Sequence, residues 1–264
     1  MSKEISKNTE QTVPSTTTDG ITWGPWSAII TLLVIFFIES LIATLAIVIY
    51  AALKSQSVSV ATNWLSNSVS WEFWYTLLAE TLTVVGVMTF IRYKKGNWRA
   101  IGLYRPKKED LAWPFIGLLI YYPIYLIVVS VLATAVKLNL NQQQNIGFSQ
   151  STTGWPLILV FISLVILPPI AEEIAFRGFL YSGLKKSLPK IWAVILTGVI
   201  FAIPHALESQ NGGLLWVAAI DTFILSAVLC WLREKTGRLY AGMGLHALKN
   251  FIAFASIFLI QYHF

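Results

Sequence analysis

The chain has 264 residues, of which 56% are hydrophobic and only 12% charged, with a mean hydropathy of +0.65. A water-soluble core of this length could not hide so much apolar surface, which excludes a cytosolic globular domain and predicts a polytopic membrane protein. The net charge of +6 and pI near 9.4 do not imply nucleic acid, because 14 of the 19 basic residues fall in three predicted loops where membrane topology accounts for them.

Residues 1–25 are polar and rich in Ser and Thr, and read as a disordered tail. The apolar stretch after them is too long for a signal-peptide h-region, so the first span is expected to stay uncleaved. Stretches able to cross about 30 Å of hydrocarbon follow at 26–53, 71–92, 112–136, 155–176, 190–207, 212–232 and 239–261. The expected fold is therefore all-α, a transmembrane helical bundle of about seven spans, or six to eight if one segment is re-entrant or split. Its division is a tail, an amino-terminal group of about three spans over 26–150, and a core over 151–264.

Basic residues give an independent reading of orientation. Arg92, Lys94, Lys95, Arg99, Arg105, Lys107 and Lys108 crowd the second connection, whereas the first, 54–70, carries only Lys54. The alternation continues with Arg177, Lys185, Lys186 and Lys190, then with Arg233, Lys235 and Arg238, while 138–154 and 208–211 have no Lys or Arg. The positive-inside rule puts the basic loops and the amino terminus in the cytoplasm, in a multi-pass protein of the cell membrane. Trp23, Trp26, Trp64, Trp71, Trp74, Trp98, Trp113 and Trp155 lie near span ends, where amphipathic rings favour the headgroups. The single cysteine, Cys230, excludes an intrachain disulfide.

The polar residues of the second half carry the chemistry. Glu172 and Glu173 end the fourth apolar run, and an ionisable group within a span costs roughly 2.5–3.5 kcal/mol on translocon scales. Glu173 and Arg177 are four apart and can pair along the helix, whereas Glu172, rotated by about 100°, needs another partner. Pro168 and Pro169 remove two backbone donors just before the acids, and the freed carbonyls must face protein or water, so the site is expected to be wet.

Of the three histidines, His205 and His246 lie in predicted spans and His263 is near the carboxyl terminus. Glu172 stands 17 residues before Pro189 and His205 16 after it, so in an antiparallel hairpin the two come level. His246 and Asn250, four apart, share a helical face. A lone intramembrane histidine is more often a helix-to-helix hydrogen bond than a catalyst, but this conjunction favours catalysis.

EEIAFR at 172–177, FAIPH at 201–205 and HALKN at 246–250 fit, in order, the EExxxR, FxxxH and HxxxN/D motifs of one family. The chain resembles the CAAX protease and bacteriocin-processing (CPBP, or Abi) family of intramembrane endopeptidases, which includes the type II prenyl-protein proteases. The resemblance covers about 155–262. It implies that Glu172 and His205 activate a water, that His246 and Asn250 stabilise the oxyanion, and that Glu173 and Arg177 support them. It also implies a peptide or protein substrate at the membrane.

Water activation without a cofactor is the preferred mechanism; the alternative is a catalytic zinc on Glu172, His205 and His246, with Glu173 as base. Asn250 would be a poor zinc ligand, and no HExxH helix is present. Two other readings differ in class. Glu39, Glu80 and Asp221 are further acids within or near spans and could serve a proton-coupled transporter. The bacteriocin side of the family also admits a non-catalytic immunity module.

Overall fold

The computed structural model describes residues 20–140, 142, 144–209 and 212–260. The tail at 1–19 and His263 lie outside these. Among the described residues the fold is helical throughout, and seven helices are long and apolar enough to cross a membrane. We number the helices α1 (Pro25–Leu53), α2 (Val58–Ser66), α3 (Val69–Tyr93), α4 (Trp113–Ala135), α5 (Pro156–Lys185), α6 (Lys190–Leu207), α7 (Trp216–Thr236) and α8 (Tyr240–Leu259). All but α2 are spans; a short 3-10 turn, Lys108–Leu111, leads into α4.

Outward faces carry apolar side chains that only lipid can cover, such as Ile30, Leu33 and Phe37 on α1, exposed by 57%, 61% and 68%. Helix α5 is the axis of the bundle. Its fully buried Phe179 and Leu180 join Ala28 and Leu32 of α1, Val87 and Ile91 of α3 and Phe201 of α6 in one core. A second core, with Tyr121, Leu225, Leu229, Leu232 and Leu245, binds α4, α7 and α8. Close helix approach depends on glycine: a Cβ at Gly198 of α6 would stand 2.8 Å from the Phe223 ring of α7.

Helix α5 is not a regular α-helix. It widens into π-helical turns at Ile162–Ile166 and again at Glu173–Leu180, a form that concentrates at functional sites. The prolines explain the first. In an α-helix the Leu164 carbonyl would accept from residue 168 and in a π-helix from residue 169, and both are proline. The helix continues past them to Lys185 rather than ending near 176. Arg177 is thus no loop residue: it is buried within the bundle and does not contribute to the charge of a loop.

One further expectation, for Trp23, is revised, and two features go beyond the sequence reading. The first connection is not plain loop but contains α2, capped by Ser57, whose hydroxyl accepts from the Val60 amide. Trp23 marks no interface; it is 2% exposed, stacks on Phe179 and donates its indole N–H to the Phe179 carbonyl at 3.1 Å. Trp26, Trp64, Trp74, Trp98 and Trp155 are exposed, as interfacial rings would be. The basic residues at one end also tie helices together. Arg238 holds both Asp110 oxygens and Glu109, and Lys185 and Lys190 share Glu234 at 2.6 and 3.1 Å. Its hydrogen bond to Asp110, reinforced by Glu109, holds the Arg238 guanidinium above its ordinary pKa.

Candidate active site

Glu173 and Arg177 form the expected pair, Oε1 to Nη1 at 2.8 Å, with the carboxylate 1% and the guanidinium 0% exposed. A buried pair needs support beyond Coulomb attraction. Here the guanidinium lies over the Phe201 ring, its Cζ 4.2 Å from the centroid. Phe201, from α6, is the hub of the site: its ring also meets Phe176, His205 and His246, with centroids 4.7, 5.2 and 5.9 Å away.

The partner that Glu172 needed is His246. One ring nitrogen, Nε2, stands 3.7 Å from Glu172 Oε2, and the other, Nδ1, 3.6 Å from Glu173 Oε1. A single buried imidazole thus lies between two neighbouring carboxylates of α5, at the start of its second π-helical turn. These separations exceed hydrogen-bond length, so the contacts are electrostatic rather than hydrogen bonds. Glu172 is the more accessible acid, its side chain 22% exposed.

His205 enters differently. Its Nδ1 is 3.0 Å from the Phe201 carbonyl, one turn back on the same helix. A carbonyl only accepts, so Nδ1 carries the proton and Nε2 is left with the lone pair, the form a general base needs. Among the described residues no ion pair joins His205 to Glu172; His205 meets His246 only through their shared neighbour Phe201. Glu172, Glu173, Arg177 and His246 are therefore in direct contact, and His205 adjoins them through one ring.

Asn250 shows what happens to the carbonyl freed by the prolines. Its Nδ2 donates to the Leu164 oxygen at 2.9 Å, filling the acceptor that Pro168 and Pro169 cannot serve. Of the two partners expected for a freed carbonyl, protein or water, protein serves this atom. The carboxamide has a second N–H, so the bond fixes the group without exhausting it.

One residue of the site was not singled out in the sequence, and the role of another was not. Gly242 lets α8 approach α5: a Cβ there would lie 2.6 Å from Glu173 Oε2. Only its place one turn before His246 hints at this. Phe201 is part of a motif, but its contact with both histidines and the arginine depends on α6 packing that no local pattern encodes.

Among the described residues no three His, Cys, Asp or Glu side chains are grouped to hold a metal ion. His246 turns its nitrogens to two different carboxylates, and His205 faces a backbone carbonyl. As arranged, Glu172, His205 and His246 do not fit a tetrahedral zinc site. Two of the three acids of the transporter reading are tied in place. Glu39 Oε1 accepts from Thr83 at 2.8 Å, and Asp221 is paired with Lys249 and bonded by Tyr121.

Residues 154–252 match the model of a family described as type II CAAX prenyl endopeptidase Rce1-like. No curated protein and no solved structure matches the chain.

Proposed function

We propose, from the match of residues 154–252 to the type II CAAX prenyl endopeptidase Rce1-like family, that the chain is a CAAX-protease (CPBP) type enzyme that hydrolyses peptide bonds of membrane-associated substrates within the bilayer. The observation that carries this reading is His246 lying between Glu172 and Glu173 inside the bundle. Peptide hydrolysis needs a base for water and donors aimed at the developing oxyanion, each worth several kcal/mol where water is scarce. Glu172 and the lone pair of His205 Nε2 supply the first, and His246 with the second N–H of Asn250 the other. Glu173, neutralised by Arg177, holds His246 from behind. Residues 151–264 form the catalytic core in this reading, with the basic loops on the cytoplasmic side of the cell membrane.

The substrate is a peptide or membrane protein, CAAX-like if the family's prenyl-protein specificity extends to this chain. A test compares membrane peptides in cells carrying the parent chain and Glu172→Ala. Uncleaved precursors should accumulate in the variant and disappear on restoring the parent; identical peptide sets would defeat the reading.

The mechanism needs no metal, and a second measurement checks that. Purified protein should hold no stoichiometric zinc and keep its activity in strong chelators. Zinc at about one per chain, lost together with activity in His205→Ala and His246→Ala, would make the same residues a metalloprotease.

A further inference from the structure

Helix α8 carries one more ionisable side chain inside the membrane, and the proposed chemistry does not use it. Lys249 follows His246 by three residues and precedes Asn250 directly. Its Nζ pairs with Asp221 Oδ2 of α7 at 2.9 Å, the side chains being 23% and 18% exposed. The other Asp221 oxygen accepts from the hydroxyl of Tyr121 on α4, which is 1% exposed. One carboxylate thereby links three spans. An ion pair at such depth is expensive and calls for a function.

Its place on α8 suggests which. At 100° per residue, Gly242, His246, Lys249 and Asn250 fall within about 100° of arc, with His246 between Lys249 and Asn250. Lys249 is tied to α7 on one side, and Asn250 to the Leu164 carbonyl of α5 on the other. Rotation of α8 in either direction must break one of these ties. The apolar core between α4, α7 and α8 holds the helices together, and the two hydrogen-bonded ties add distance and angle requirements that apolar contacts lack.

We infer that Asp221, Lys249 and Tyr121 form a positioning clamp that sets the rotation of α8 and so aims His246 at Glu172 and Glu173. The inference rests on the catalytic reading for its consequence but not for its geometry. Its first test therefore needs no substrate. In a Cys230→Ala background, the cysteine in His246→Cys should react slowly with N-ethylmaleimide, since His246 is 4% exposed. Adding Lys249→Met or Asp221→Asn should speed the reaction at least tenfold, and Lys249→Arg should leave it within about threefold.

Leu229→Ala, a core truncation in the same interface, serves as a control for general loosening. If it speeds labelling equally at a matched loss of melting temperature, or if Lys249→Met has no effect, the clamp is refuted. The second test uses a quenched-fluorescence peptide ending in a CAAX sequence. Lys249→Met should lower kcat about 10- to 100-fold with KM nearly unchanged, as misplacement of a catalytic group does. The double variant Asp221→Asn/Lys249→Met, free of an unpaired charge, should regain thermal stability yet retain the kcat loss. Recovery of both together would reduce the pair to a structural contact. Failure of the parent to cleave any peptide, with the labelling result intact, would count against the protease reading and leave the clamp standing.

Discussion

Glu172→Ala and His205→Ala should each lower peptide cleavage by about 10²- to 10⁴-fold, the contribution of a positioned general base, while the protein remains folded and inserted. The structure explains why activity and stability separate here. Glu172 is the more exposed acid of the pair, and Arg177 takes its salt bridge from Glu173, so truncating Glu172 strands no buried cation. Among the described residues His205 hydrogen-bonds only within its own helix, and its ring packs against Phe201. Its removal opens a small gap beside an aromatic ring. Purified variants in detergent, compared by initial rate and by melting temperature, decide the matter: turnover near the parent value in either one would remove it from the base apparatus. His205→Gln adds a control, since it retains a polar side chain but lacks the imidazole lone pair.

The spans were legible because lipid imposes a length and a hydropathy that local sequence must obey. Predicted and observed boundaries agree within a few residues except where polar groups are satisfied internally. Arg177 looked like the first residue of a basic loop, since nothing nearby in sequence shows that Phe201, on another helix, covers it. Trp23 looked interfacial for the same reason: its indole partner, the Phe179 carbonyl, is 156 residues away. Motif spacing brought Glu173 to Arg177 and put His246 and Asn250 on one face. It could not show that His246 would face both acids, nor that Asn250 would serve a carbonyl orphaned by Pro168 and Pro169. The spacing on α8 carried the information for Lys249 as well, but a lysine in a span has meaning only once Asp221 is seen opposite it.

Replacing Arg177 by Met should destabilise the fold by about 3–5 kcal/mol, because breaking a buried pair leaves its partner's charge uncompensated. The orphan would be Glu173, 1% exposed and packed against His246 and Gly242. Glu173→Ala should also lower stability, but by less, since the guanidinium keeps its contact with the Phe201 face. Gly242→Ala tests the same carboxylate without touching a charge. A methyl at that position would stand 2.6 Å from Glu173 Oε2, and the carboxylate cannot retreat freely while Arg177 holds its other oxygen. All three variants should melt below the parent in a thermal-shift assay, with Arg177→Met the lowest. Glu173→Gln/Arg177→Met, which carries neither charge, should recover much of that loss, since the largest penalty lies in the unpaired ion rather than in the missing attraction. It should nevertheless remain a poor enzyme, because the acid that holds His246 from behind is gone. Equal melting temperatures and equal activities for Glu173→Ala and Glu172→Ala would contradict this division, in which one glutamate reacts and its neighbour maintains the site.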